Sequence, residues 1–187
     1  MRGRVPPTTE RFLEELSRTL DIEKTMDKLG ISRDEARSML RGLLGRGEKS
    51  AGGSAYELYV DGASRGNPGA SGAGAVIKDP EGNVVKTLKL YLGVQTNNRA
   101  EYNALILGLE EARAMGLKML KVFADSELMV KQLNGEYAVR NKDLKPLFDR
   151  VNTLLHGLEK ASIKHIPRGE NTLADGLAND AIDSLGD

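Results

Sequence analysis

Cysteine is absent from all 187 residues, so neither a disulfide framework nor a thiolate metal centre is available. Any metal ion must be held by oxygen or imidazole, and only two histidines are present. An excess of either charge is also lacking. Lys and Arg number 27 against 27 Asp and Glu, so binding to a polyanion must rest on local pockets and metal ions rather than on a general basic field. No run approaches the roughly 20 apolar residues of a membrane span, and the N-terminal Met-Arg-Gly-Arg-Val-Pro-Pro has no apolar signal stretch. The expectation is a soluble cytoplasmic protein with no membrane partner. Internal repeats are absent as well.

What is present divides in two. Residues 45–55 read Gly-Arg-Gly-Glu-Lys-Ser-Ala-Gly-Gly-Ser-Ala, a Gly/Ser-rich stretch expected to act as a flexible linker. Residues 1–44 form the first part. Phe12, Leu13, Leu16 and Leu20, then Ile22, Met26 and Leu29, then Ala36, Met39, Leu40 and Leu43 recur at helical spacing, which predicts an all-α module of three short helices. Gly30 is placed to end the second, and Ser32 with Glu35 is a capping box for the third, giving a corner like that of a helix-turn-helix.

Residues 56–187 are expected to form the second domain. Apolar and β-branched runs at 56–60, 72–77 and 84–92 predict strands, the last two joined by a turn at Asp79-Pro80-Glu81-Gly82-Asn83. A long helix follows from about Asn98 to Met115, then a strand at 120–124, helices at 126–133 and about 142–158, a strand at 162–166 and a helix at 171–184. The order βββαβααβα implies an α/β fold with a mixed five-stranded sheet flanked by helices.

Asp61 closes the first predicted strand and Asp125 closes the fourth. Taken singly, each has an ordinary explanation, Asp61 as a turn residue before Gly62 and Asp125 as a helix N-cap. Glu101, early in the long helix, reads equally as surface charge, and Asp175 as an acid favoured by the dipole of the last helix. Two neighbouring parallel strands that both end in Asp change this reading. Their carboxyl ends form a ligand crevice, and two close carboxylates repel unless a cation lies between them.

Four segments now stand together: Val-Asp-Gly-Ala-Ser-Arg-Gly-Asn-Pro-Gly from Val60, Thr-Asn-Asn-Arg-Ala-Glu-Tyr from Thr96, Ala-Asp-Ser-Glu-Leu from Ala124, and Glu-Asn-Thr-Leu-Ala-Asp-Gly-Leu-Ala from Glu170. In sequence, order and context they resemble the motifs of type 1 ribonucleases H, over about Tyr56 to Ile182. The resemblance implies the ribonuclease H fold and an endonuclease that cuts the RNA strand of RNA/DNA hybrids, leaving 5′-phosphate and 3′-hydroxyl ends. It assigns Asp61, Glu101, Asp125 and Asp175 to two magnesium ions (Mg2+, with Mn2+ as substitute). In that assignment Asp61 bridges the ions, Glu101 and Asp125 complete the leaving-group side, and Asp175 holds the ion of the nucleophilic water. Oxygen ligands suit such hard cations, and a two-metal site needs no attack by the RNA 2′-hydroxyl.

By the same resemblance, His165 matches a histidine that assists proton transfer or product release, with Arg168 as its rival; His156 is read as structural or exposed. Asn67 and Asn97 are implied in minor-groove contact, Asn98 beside the DNA strand, Thr96 in a phosphate pocket, and Gly62 and Ser64 near the RNA, with Asn171 also among the substrate-binding residues. Glu127 stands where many relatives carry Gln, and its carboxylate can still accept from a 2′-hydroxyl. Between Leu133 and Leu144 the chain is short where many relatives insert a basic helix that grips the duplex. The first 50 residues carry 11 Lys and Arg against 9 Asp and Glu, so the N-terminal module is open to nucleic-acid binding, protein docking or a passive role. Double-stranded RNA cleavage and a non-catalytic hybrid-binding regulator are the alternative functions, and a monomer is expected.

Overall fold

The structure is a computed structural model that describes residues 9–33, 35–36 and 55–184. The chain divides into two compact units, residues 1–53 and 54–187. In the first, α1 (Thr9–Thr19) and α2 (Ile22–Leu29) are followed by helical residues 33, 35 and 36. Phe12, Leu29, Ile31 and Ala36 are buried together, with Leu16 and Met26 packed against them. Asp21 caps α2 by accepting from the amides of Glu23 and Lys24 at 3.0 and 3.1 Å. Gly30 ends it at φ 65°, in the left-handed region that glycine enters without a Cβ clash.

The capping box forms: the Ser32 amide donates to Glu35 Oε2 at 2.7 Å and the Glu35 amide donates to Ser32 Oγ at 3.2 Å. Met39, Leu40, Leu43 and the linker from Gly45 lie outside the described residues. Leu20 departs from the helical pattern. It stands beyond the end of α1 with φ 50° and is 87% exposed, because the chain turns there to bring Asp21 into its capping position.

The second unit contains β1 (Tyr56–Ser64), β2 (Gly69–Lys78), β3 (Val84–Gln95), α3 (Asn97–Ala114), β4 (Met119–Ala124), α4 (Glu127–Leu133), α5 (Lys145–His156), β5 (Lys160–His165), a 3-10 turn at Arg168–Glu170 and α6 (Thr172–Asp183). The sheet order is β3-β2-β1-β4-β5. Strands β1, β2 and β3 are antiparallel neighbours, whereas β1, β4 and β5 run parallel, as the expected mixed sheet requires. The turn before β3 is organised by Asp79, whose Oδ1 accepts from the amides of Glu81 and Asn83 at 3.1 and 2.8 Å. Helix α5 begins three residues later than the apolar pattern suggests. Asn141 Oδ1 holds a turn by accepting from the Asp143 amide, and Pro146 occupies the first helical turn, where its missing N–H costs nothing. Among the described residues no helix is long and apolar enough to cross a membrane.

The core lies between one face of the sheet and α3, α4 and α5, where Leu58, Val60, Leu105, Leu109, Val122 and Val151 are buried. Helix α6 covers the other face over β1, β2 and β3. It can do so because β2 presents glycine there: a Cβ at Gly74 would fall 2.2 Å from the Ala174 carbonyl oxygen, and one at Gly72 2.2 Å from that of Ala178. Gly74→Ala should therefore push α6 off the sheet and lower stability by about 3 kcal/mol, read as a fall in the urea midpoint. A wild-type midpoint would show that α6 does not pack this closely.

Candidate active site

Strand β1 pairs with β4 only as far as Val60 opposite Ala124, but it continues against β2 to Ser64 opposite Ser71. Asp61 is thus inside the strand, not at its end as the Asp-Gly dipeptide suggested. The antiparallel ladder carries the chain through Asp61 and Gly62 and delays the turn to residues 65–68. Asp61 is nonetheless the first residue past the end of its parallel partner, and Asp125 is the first residue after β4. Both therefore stand at the opening between the two strands.

Glu101 is brought to the same place by a close backbone approach. A Cβ on Gly62 would lie 2.2 Å from both the Ala100 carbonyl carbon and the Glu101 nitrogen, so only glycine lets the first turns of α3 press against β1. Thr96 starts that helix, its Oγ1 accepting from the Arg99 amide at 3.4 Å. From this position Glu101 turns into the sheet rather than toward water. Asp61, Glu101 and Asp125 each offer an oxygen, and these lie within 4.8 Å of one another.

Asp61 is 5% exposed and Glu101 6%. Burial, then the charges of Asp125 and Asp175, raise the Asp61 carboxyl from 3.8 to about 7. Burial and the charges of Asp61 and Asp125 likewise hold Glu101 well above the ordinary carboxylate range, against the pull of the Gly62 amide and Arg168. Glu101 Oε2 is buried without a hydrogen-bond partner. An orphaned carboxylate oxygen beside two more carboxylates fits a hard divalent cation, since an all-oxygen donor set both neutralises the repulsion and satisfies that atom.

Asp175, in the first turn of α6, lies outside this trio. It accepts from Arg168 at 2.6 Å, and its charge still reaches Asp61. Asn171 is 1% exposed and sits beneath the acids: its Nδ2 donates to the Val60 carbonyl at 2.9 Å and to Asp125 Oδ1 at 3.1 Å. From there it holds Asp125 rather than presenting a surface to a ligand.

A crevice of about 520 Å³ opens over the trio, with Gly62, Ser64, Asn97, Glu127 and Arg168 on its walls. Glu127 is paired with Lys131 at 2.7 Å. Asn67, on the hairpin after β1, accepts from the Asn97 amide at 3.2 Å, which ties that hairpin to the start of α3. Asn98 lines a narrower recess with Tyr102 and Gln132. His165 is the exposed last residue of β5, opposite Ala124, and is not on the crevice wall, whereas Arg168 is. His156 is exposed at the end of α5, with Nδ1 2.6 Å from the Asn152 carbonyl. Sequence reasoning missed Asn179, which also lines the crevice and donates to the Asp175 carbonyl at 2.9 Å. Its spacing of one helical turn from Asp175 was the available signal.

Residues 59–181 match a family model described as reverse transcriptase-like. Ribonuclease HI of Halobacterium salinarum is 42% identical over 131 residues, covering 70% of this chain and 66% of that protein. The crystal structure of RNase H1 from that archaeon superposes with a TM-score of 0.68 at 41% identity, covering 70% of this chain and 99% of the other. The bifunctional protein Rv2228c of Mycobacterium tuberculosis is 41% identical over 128 residues, 68% of this chain and 35% of its own length. The crystal structure of LC11-RNase H1 in complex with RNA/DNA hybrid gives a TM-score of 0.68 at 39% identity, covering 71% of this chain and 99% of the other. The chain thus spans under two thirds of the length of these two curated relatives.

The raised carboxyls make stability depend on pH in a definite direction. Between about 4 and 7 the folded protein holds protons on Asp61 that the unfolded chain, titrating near 3.8, has lost. Stability in chelator should therefore fall as pH rises through that window. Melting temperatures in EDTA from pH 5 to pH 8 should drop more steeply for the parent than for Asp61→Asn; equal slopes would show that the trio is not under strain.

Proposed function

The chain belongs to the type 1 ribonuclease H family, and from that premise we propose that it is an endonuclease hydrolysing the RNA strand of RNA/DNA hybrids, leaving 5′-phosphate and 3′-hydroxyl ends. The single observation that carries the reading is the trio Asp61, Glu101 and Asp125, within mutual reach, with the first two buried, the third half-buried and one Glu101 oxygen unsatisfied. In support, a relative of the same fold at 39% identity has been captured with an RNA/DNA hybrid.

Asp61, Glu101 and Asp125 would hold Mg2+, or Mn2+ in its place, with Asp175 on the flank for a second ion. Divalent cations at such a site neutralise charge on the phosphate, acidify water and stabilise a departing oxygen. The remaining work falls to the chain's own groups. Asn171 fixes the Asp125 carboxylate by hydrogen bonding, so that its oxygens do not reorient when a cation is exchanged. Arg168 stands on the crevice wall, 76% exposed in its side chain, where it can leave Asp175 for a phosphate oxygen. The rim suits a duplex read through sugars and backbone: Gly62 and Ser64 on one side, Asn67 and Asn97 joined on the other.

Double-stranded RNA is the second reading, and one observation favours it. Glu127 forms only an exposed pair with Lys131, which parts at little cost, so its carboxylate can accept from the 2′-hydroxyls that both strands of an RNA duplex carry. The connection between α4 and α5, residues 134–144, carries no additional helix, so the duplex grip found in many relatives is not built there.

Hybrid, RNA duplex, DNA duplex and single strands offered with Mg2+ test the proposal together. Hybrid should be cut, RNA duplex at least tenfold more slowly, and DNA not at all; no metal-dependent cleavage of hybrid would overturn it. Asp125→Asn should abolish cleavage while hybrid is still bound. Asn171→Ala should lower activity and metal affinity by about 10- to 100-fold, with a shifted Mg2+ titration as the readout.

A further inference from the structure

Only eight of the 187 residues are Phe or Tyr, yet two of them stack side by side on the outside of the sheet. Tyr59 and Phe123 face one another across β1 and β4 with ring centroids 4.9 Å apart and planes 24° from parallel. They lie on the α6 side of the sheet, since Tyr59 is paired with Val76 and Asp61 with Gly74, the residue against which α6 packs. Helix α6 packs over β1, β2 and β3, and both rings are half-exposed.

Lysines surround the pair. Lys78 Nζ lies 4.4 Å from the Tyr59 ring centroid. Lys121 is one pleat behind Phe123 on β4, and Lys164 and Lys160 on β5 are in register with Phe123 and Met119. Because side chains at alternate positions of a strand share a face, all four lysines stand on this surface. The facing acids are Glu57 and Glu170. Glu57 is already engaged, accepting from the Tyr59 hydroxyl at 3.0 Å and lying 3.9 Å from Lys121. Glu170 borders a small cavity of about 110 Å³ beside Tyr59. In a chain with no net charge, four lysines and two glutamates thus border the pair of rings, with Asp61 and Asp125 one pleat farther along the same strands.

We propose that this open sheet face is a second nucleic-acid site, separate from the crevice, that binds single-stranded RNA or DNA. Rings with lysines at strand spacing match what a single strand offers, which is unpaired bases to stack and phosphates between them; a duplex hides its base faces. A base continues the row Lys78–Tyr59–Phe123 on the far side of Phe123, toward β5. The phosphates on either side of it meet Lys121 and Lys164. Along β1 and β4 the platform lies one pleat, about 7 Å, behind Asp61 and Asp125, so an unpaired strand beside the cut duplex has a place to rest.

The test is binding of the full chain, in EDTA, to a labelled RNA of about twelve nucleotides and to DNA of the same sequence, by fluorescence anisotropy. Removal of the ring in Phe123→Leu should weaken both at least fivefold, within the range set by base–aromatic stacking. The double variant K121Q/K164Q should reduce the salt slope of log affinity by about 1.4, since each phosphate that a lysine neutralises on a single strand adds about 0.7 to that slope. Melting temperature checks that each variant is folded; should Phe123→Leu fail this check, the lysine variant carries the test alone. A 5-iodouridine-substituted strand should crosslink to Tyr59 or Phe123. Parental affinity and slope in the variants, no binding of single strands by the parent, preference for duplex through these lysines, or crosslinks confined to the crevice would each overturn the proposal. The assay contains no divalent cation, so failure to cleave hybrid leaves these outcomes unaffected.

Discussion

Two buried carboxylates and a half-buried third stand within reach of one another, and the neighbouring structure serves to hold them against their repulsion. Asp61 comes from the strand shared by the antiparallel and parallel halves of the sheet, Asp125 from the end of its parallel neighbour, and Glu101 from a helix pressed onto that strand. The close packing of that helix depends on a missing Cβ at Gly62. Any larger residue would lift α3 and carry Glu101 away from the other two acids. Burial raises the cost of ionising Asp61 and Glu101, and the neighbouring charges raise it again. A cation relieves both costs at once, so that the repulsion among the acids becomes affinity for metal.

Around the trio, hydrogen bonds and charges are arranged in layers. Asn171 bridges a main-chain carbonyl of β1 and the Asp125 carboxylate, fixing the acid from below. Arg168 and Asp175 form a more exposed pair at the margin, where attraction is screened and the partners separate at little cost. Asp125 is thereby held in place while Asp175 is left adaptable. A site of the proposed function, receiving and releasing a polyanion, gains from that division.

Much of this was legible in the residues. The Asp79 turn, the Ser32–Glu35 capping box and the alternation along the strands each have a local cause, and local causes survive in sequence. The four motifs located the acids. What local chemistry does not contain was missed. Asp-Gly at positions 61 and 62 reads as a turn, and only pairing with β2 keeps it extended. Glu101 resembles a surface residue until Gly62 is seen to admit its helix. Leu20 fits a helical stripe that stops one residue earlier, because Asp21 is committed to the next helix. Asn171 sat within the fourth motif, but its burial beneath Asp125 depends on a loop crossing two strands. Residues distant in sequence decide each of these cases.

Most central is that the trio carries at least one proton without a cation and loses it to one. Calorimetric titration of Mg2+ into the full chain near pH 6.5, repeated in buffers of different ionisation enthalpy, counts the protons released per ion bound. Close to one proton should be released at that pH and fewer at pH 8, above the value of about 7 to which Asp61 is raised. Tight binding with no proton released at either pH would contradict the coupling of metal to buried charge.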